Sequence, residues 1–482
     1  MGIQGRIFFL WPFLRRCRYW VYLCHAGWSH VSIPIPAGAG TWSGPAFWFQ
    51  NWVGPDYPNQ PLGPCTYYID NYKVDVGPPA PKVTSQPVSQ ELFTTASNVT
   101  WSVAASGGQP LSYQWYKGTT ALTDGVTGSG SIITGSISNV IQIAGIAAGD
   151  VATNYSVIIT NAFGSATSSV VSLKIVPPQG AYAKAMVTNL PVVFYELNET
   201  NNPANSPGAY DHVGGFAGIY GTTISNAFNG ITGPLFVGFT SSNGAASFPG
   251  TRGGSIALPP LNLNTNNVTI TAWIFPTAYV PDAGIVFSRN NGTTSGFCFA
   301  DDGQTLGYNW ADNASSWGWQ PGGTVAPGSG LIPPLNQWSF VTLVITPNDA
   351  TVYMMNTNGS GSGNNILANA IQGFAGTTLI GQDANATART FAGSIDDVAI
   401  FNYSMTPDQV QNLYFAGVGG PMLLFDGQNL TWNVTLLANV IEVVTLQQAT
   451  NVKGPWTDVA GATSPWPVTT TGPGTFYRLK IQ

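Results

Sequence analysis

Two kinds of side chain in this sequence have the chemistry to act on or hold another molecule. The first is the carboxylate. Asp301-Asp302 and Asp396-Asp397 are adjacent pairs, but neighbouring residues of a strand point to opposite faces. Neither pair therefore presents two carboxyls to one glycosidic bond, as hydrolysis requires. No Gly-x-Ser-x-Gly elbow, nucleophilic cysteine with a nearby histidine, or phosphate-cradling loop occurs. The sequence reads as non-catalytic, and no catalytic residue is assigned. The second kind is the aromatic ring. Tyr308, Trp310, Trp317 and Trp319 crowd one short stretch. Sugars present C–H faces that rest on exposed rings, while nearby Asn and Asp groups bind hydroxyls. These four are candidate ligand-binding residues. Trp310 also reads as the end of a strand and so as core, whereas Trp317 and Trp319, flanked by Ser and Gly, read as loop residues.

The elements that must position these groups are strands. Charged residues are 7% of the 482 residues, against about 25% in an average soluble protein. Gly 57 and Pro 35, with only 15 Lys+Arg and four glutamates (Glu91, Glu196, Glu199, Glu442), suit short strands and tight turns rather than long helices. The fold class is all-β, organised as several β-sandwiches. The net charge of −6 and scattered basic residues leave no stripe to displace counterions from phosphates, so nucleic acid is excluded as a partner. No apolar run approaches the ~20 residues that span a bilayer. Cys17, Cys24, Cys65 and Cys298 are too dispersed for a disulfide scaffold, and His25, His30 and His212 lie too far apart for a local metal motif.

Along the chain, residues 1–27 form an ill-defined leader, with Arg6, Arg15, Arg16 and Arg18 around an apolar stretch. Two arginines interrupt that stretch and no small-x-small cleavage site follows, so it makes a poor secretory signal. Residues 28–76 turn β-like and end in Tyr68-Ile-Asp-Asn-Tyr-Lys-Val. That ending resembles the last strand of jelly-roll carbohydrate-binding modules and implies a partial β-sandwich. Gly77-Pro-Pro-Ala-Pro-Lys is a stiff linker. Residues 82–176 carry short alternating runs at sandwich spacing. Within them Tyr113-Gln-Trp-Tyr-Lys resembles strand C of an immunoglobulin-like domain, with Trp115 as its central core aromatic. Asp150 to Tyr155 resembles the tyrosine corner. The family's two cysteines would fall near Val103 and at Val157, so cross-sheet burial must replace the disulfide. Residues 176–180, Val-Pro-Pro-Gln-Gly, read as a second linker.

Residues 181–418 carry five motifs in order: Pro191-Val-Val-Phe-Tyr-Glu-Leu-Asn-Glu, Gly244-Ala-Ala-Ser-Phe-Pro-Gly, Val268-Thr-Ile-Thr-Ala-Trp-Ile, Trp338-Ser-Phe-Val-Thr-Leu-Val-Ile, and Phe391-Ala-Gly-Ser-Ile-Asp-Asp-Val-Ala-Ile-Phe. A Thr406-Pro-Asp helix start follows them, predicting a short helix over 408–415. This order resembles the laminin-G-like, concanavalin-like jelly roll. In the third motif Ile270, Ala272 and Ile274 alternate with Thr271 and Trp273, as in a half-buried strand. In the fourth, both faces are apolar, which suits a central strand between layers. Related jelly rolls often hold calcium between an early acidic residue and the aspartate of the last strand. That resemblance makes Asp396 with Glu196 or Glu199 candidate calcium ligands, calcium being an oxygen-loving cation. The alternative is that Asp396 only accepts backbone hydrogen bonds. Concanavalin-like glycosidases carry two glutamates on one strand, a signature absent here.

Gly417-Val-Gly-Gly-Pro reads as a hinge, and 421–482 resembles the small β modules that close long exported bacterial proteins. Trp456 and Trp466 read there as core or interface residues. The expectation is an extracellular, non-catalytic surface or adhesive protein whose laminin-G-like head binds glycan or protein, with calcium as an optional aid. The alternatives are a structural protein that self-associates through edge strands and an accessory part of a polysaccharide-degrading enzyme.

Overall fold

The computed structural model describes residues 5–8, 48–51, 78–93, 98–251, 254–319, 328–386, 388–420, 422–425, 429–433, 444–463, 466–468 and 475–481. The chain forms two compact units, Met1–Val76 and Gly77–Gln482. In the first, Gly5–Phe8 pairs antiparallel with Trp48–Asn51. The rest of the expected leader and of the partial sandwich lies outside the described residues.

The second unit begins with an immunoglobulin-like sandwich. Gln90–Phe93, Val171–Val176, Ala152–Asn161, Ser112–Lys117 and Thr120–Ala121 lie side by side in one sheet, with Gly164–Thr167 paired on Ala152–Asn161. Asn98–Ser102, Val140–Ala144, Ile132–Thr134 and Gly125–Val126 make the other. Trp101, Trp115 and Tyr155 fill the space between them, with Trp101 and Trp115 stacked at 6.4 Å. Each indole N–H meets a backbone carbonyl, Trp115 at Ser138 and Trp101 at Val88, both at 2.8 Å, as a buried polar handle requires. The Tyr155 hydroxyl donates to the Asp150 carbonyl at 2.6 Å, which is the tyrosine corner. Val103 and Val157 are buried, so apolar packing occupies the place of the disulfide.

The larger domain is built from two seven-stranded antiparallel sheets. One runs Val193–Tyr195, Ala392–Phe401, Val268–Pro276, Ser339–Ile345, Ala350–Asn356 and Gly359–Asn365, with Ala246–Pro249 added on Ala392–Phe401. The other runs Gly208–Ala209, Gly218–Tyr220, Ile256–Leu258, Thr377–Ile380, Gly284–Asn290, Thr293–Phe299 and Leu306–Trp310. Ile270, Ala272 and Ile274 point into the core between the sheets, with Val341, Leu343 and Ile345 beside them.

The opposite face of the first sheet is buried too, which corrects the half-buried reading of Val268–Pro276. Trp273, Phe340 and Val344 belong to an outer core covered by helices Gly180–Thr188 and Pro407–Val418. The first helix starts at the last residue of the 176–180 linker, Gly180, which has φ +73°. The second is longer than expected. The Thr406 side chain accepts from the Gln409 N–H, and the helix runs on until Gly419 at φ +84° stops it. Gly417, expected in a hinge, is instead a buried helical residue, where an added Cβ would come 2.8 Å from the Trp273 ring.

Phe93 ties the two sandwiches together. It leaves the immunoglobulin-like sheet, joins the outer core of the larger domain and stacks on His212 at 4.6 Å. The Phe93 N–H donates to the His212 carbonyl at 2.9 Å, and the Thr100 N–H to Gly215 at 3.3 Å. Beyond Gly419, Met422–Phe425, Asn429–Asn433 and Trp466–Pro467 form one three-stranded sheet, and Thr457–Asp458, Val444–Ala449 and Phe476–Ile481 another. Arg478 lies over the Trp456 ring at 4.5 Å there.

Trp273 is 0% exposed and touches rings from both covering helices. Its replacement by Ala is expected to lower stability by about 3–5 kcal/mol, read as a shift of the urea midpoint. A loss below about 1 kcal/mol would mean that the helices do not depend on it.

Candidate functional site

Three neighbouring strands of the second sheet carry the site on their outer face. Gly284–Asn290, Thr293–Phe299 and Leu306–Trp310 align Phe287 with Gly296 and Gly296 with Asn309. Phe297, Phe299, Leu306, Tyr308 and Trp310 point the other way, into the inner core. Gly296 is required, because an added Cβ would lie 2.1 Å from the Phe287 ring. The flattened floor that results opens into a cavity of about 410 Å³.

The walls are charged. Arg289 lies over Phe287 at 4.9 Å and donates from Nε and Nη2 to the two Asp383 oxygens at 2.8 and 3.3 Å. Its Nη1 reaches Asp312 at 3.0 Å. Arg389 approaches Asp383 and Asp282, both at 3.0 Å. Asp383 is 1% exposed, so a carboxylate there needs the two guanidinium partners to offset its desolvation. Asp312 leaves the strand end with φ +49°, which folds it back onto Arg289, the Thr294 hydroxyl (2.9 Å) and Asn309 Nδ2 (3.3 Å). Burial opposes its ionisation, but these hydrogen bonds outweigh that and hold its pKa below the ordinary value. Burial raises Asp282 to about 6, Arg389 pulling it down and Asp301 pushing it up. The Cys298 thiol in the wall is pushed well above its usual range by burial, so it stays protonated. Asn309 Oδ1 is buried without a hydrogen-bond partner, although its residue lines the cavity.

Of the four aromatic candidates, Trp317 alone offers an exposed ring to this cavity. It ends the short helix Ala314–Trp317 and is 39% exposed. Tyr308 is buried, its hydroxyl held by Asn365 Nδ2 at 3.0 Å. Trp310 is core, its N–H donating to the Ala370 carbonyl at 2.7 Å. Trp319 packs on the inner core and meets Tyr308 edge-on at 5.5 Å. Sequence reasoning missed Arg289, Asp383, Arg389 and Asn309. The available signal was the rarity of charge: two of 15 basic residues converge here.

The expected calcium ligands lie elsewhere, beside the junction with the immunoglobulin-like sandwich. Glu199 accepts from the Tyr210 N–H and the Tyr220 hydroxyl, both at 2.5 Å, so both its oxygens are engaged. Glu196 faces Asn198 Nδ2 at 3.0 Å and His212 Nε2 at 3.5 Å. Asp396 is fully buried and accepts from the side chain of Asn243 at 2.8 Å, rather than from the backbone alone. Asp396 Oδ1 and Asp397 Oδ2 are buried without partners. Burial pushes both carboxyls well above the carboxylate range, with the Glu196 charge adding to the effect. Among the described residues no three acidic, His or Cys groups are placed to hold a metal. As arranged, the set does not fit calcium.

Residues 249–411, which include every strand of the cavity floor, match the sequence profile of the concanavalin A-like lectin/glucanases superfamily. The large domain is laminin-G-like. No curated protein matches the chain. Among solved structures, similarity extends to extracellular domains 3–5 of Drosophila OTK (21% identity, 20% of this chain and 32% of that one, TM-score 0.18). It extends also to a Trypanosoma rangeli sialidase in complex with 2,3-difluorosialic acid (14% identity, 46% of this chain and 32% of that one, TM-score 0.31). An I-band fragment of titin is similar at 10% identity over 60% of this chain and 65% of that one, with TM-score 0.17. The chain thus spans about a third of the length of the first two (32% each).

The laminin-G-like fold supports a carbohydrate- or protein-binding role. Among the described residues, no helix is long and apolar enough to cross a membrane.

Asp282 supplies a pH test. Its folded pKa lies above its ordinary value of 3.8, so the folded state holds its proton more tightly and stability falls as pH rises from about 4 to 6. Asp282→Asn is expected to remove that component, leaving a melting temperature that depends less on pH across this window. An unchanged slope would place the proton elsewhere. Adding a chelator is expected to leave the wild-type melting temperature in place, and a drop of several degrees would restore a structural calcium.

Proposed function

We propose that the laminin-G-like domain is a non-catalytic sugar-binding head of an extracellular protein, and that the cavity over Phe287 and Gly296 is its binding pocket. The observation that carries this reading is a polar cavity whose rim carries the exposed Trp317 ring and whose lining includes Asn309, a buried side chain with Oδ1 unpartnered. A buried polar group without a partner costs roughly 1–3 kcal/mol, which a ligand hydroxyl relieves. An indole at the rim supplies the apolar plate on which a sugar C–H face rests. Convergent polar groups in a cavity of this size are what a small-ligand site needs.

The carboxylates support binding rather than bond breaking. Asp282, Asp312 and Asp383 are all engaged by arginine, which leaves Asp301 as the one lining carboxyl without an arginine among the described residues. Glycoside hydrolysis, in contrast, asks one carboxyl to give a proton and another to attack or to activate water. The immunoglobulin-like sandwich then serves as a spacer, a role its fold permits without any site of its own.

Retention of the whole chain on insoluble polysaccharides tests this. Trp317→Ala and Asn309→Ala are each expected to weaken retention at least about tenfold, the equivalent of ~1.4 kcal/mol. Because Trp317 is exposed, its variant should keep the wild-type melting temperature. Retention that survives both substitutions would move the site away from this cavity, and product sugars released by the wild type would end the non-catalytic reading.

A further inference from the structure

The pocket is unbalanced in two respects, and both bear on which sugars enter it. Its arginines are turned to carboxylates. Arg289 turns Nε, Nη1 and Nη2 to Asp383 and Asp312, and Arg389 turns Nη1 and Nη2 to Asp383 and Asp282. Five of the six guanidinium nitrogens therefore already face a carboxylate. Its acceptors are in surplus. Asn309 Oδ1 is buried without a hydrogen-bond partner, and Asp301, exposed on the rim and hydrogen-bonded to Asp282, has no arginine partner among the described residues. The charges follow the same pattern. Asp282, Asp301, Asp312 and Asp383 line the cavity with Arg289 and Arg389, so four negative groups meet two positive ones and the lining carries a net charge of −2.

We propose that this pocket ranks sugars by charge, taking amine-bearing sugars first, neutral sugars second and carboxylate-bearing sugars last. The inference rests on the sugar-binding reading of the same cavity. An ammonium group brings three donors and a positive charge, a hydroxyl brings one donor, and a carboxylate brings only acceptors and a negative charge. Asp301 and Asn309 Oδ1 can pair with the first two and repel the third. The charges of Arg289 and Arg389 are already balanced by Asp383, Asp312 and Asp282, and drawing either arginine toward an acidic sugar weakens the pairing of the buried Asp383.

The test is a titration of the full chain with three probes of equal length: a glucosamine trimer, its N-acetylated counterpart and a galacturonic acid trimer. At low ionic strength the amine trimer is expected to bind about tenfold more tightly than the neutral one. The acidic trimer is expected to bind at least about tenfold more weakly than the neutral one. Both gaps should narrow at about 1 M salt, where the Debye length falls to about 3 Å. Asp301→Asn should shrink the amine-to-neutral ratio, and since Asp301 is exposed this variant should fold. Acidic trimer binding equal to or tighter than neutral, or an amine preference that persists unchanged in Asp301→Asn and at high salt, overturns the ranking. If the neutral trimer binds and Trp317→Ala abolishes it while the charge order is absent, the ranking alone fails. If none of the three binds, the sugar pocket itself fails and the ranking falls with it.

Discussion

A strand that is apolar on both faces cannot lie on a surface, and this constraint organises the large domain. Val268–Pro276 is buried along nearly its whole length. Its inner face closes the gap between two sheets, and its outer face must be covered by something else. Two helices do so, meeting around Trp273, and a phenylalanine from the preceding sandwich, Phe93, joins the same outer core against Phe194. With so few charged residues in the chain, covering apolar surface with further protein is the available way to keep it from water.

The same scarcity sharpens the few charges there are. On the outer face of the second sheet the chain places arginine and aspartate, with the short helix Ala314–Trp317 at the rim. Asp383 is the pivot. It is as buried as a core leucine, yet it is held by two guanidinium groups that come from a strand and from a loop. The cavity walls thus owe their shape to ion pairs, whereas the floor owes its shape to a ring lying in the space that Gly296 leaves. One domain accordingly has an apolar, helix-covered side that binds it to its neighbour and an open, polar side that faces outward.

Much of the fold was legible because strands announce themselves by period. Val268-Thr-Ile-Thr-Ala-Trp-Ile, the Trp115 strand and the Asp150–Tyr155 corner could all be placed from local pattern alone. The covering of Trp273 could not, since the helix Gly180–Thr188 was not anticipated at the start of the domain and takes its place from tertiary partners. Trp310 was legible as core, whereas Ser and Gly neighbours gave Trp317 and Trp319 the same loop reading and only the structure separates the exposed Trp317 from Trp319 packed on the core. The cavity was not legible. Asp282, Arg289, Asp312, Asp383 and Arg389 share no motif and meet only through strand register and loop return. Glu196, Glu199 and Asp396 drew attention through family resemblance; in the structure Glu199 is held by Tyr210 and Tyr220, Glu196 by Asn198, and one Asp396 oxygen by Asn243 while the other has no partner.

Phe93 carries a consequence for how the molecule comes apart. It belongs by sequence to one sandwich and by packing to the other, and its backbone is bonded to both: its strand runs parallel to Val171–Val176 while its N–H is spent on His212. Neither core can open without stripping this ring from its place. Heat is therefore expected to disrupt the two sandwiches together, as one cooperative block.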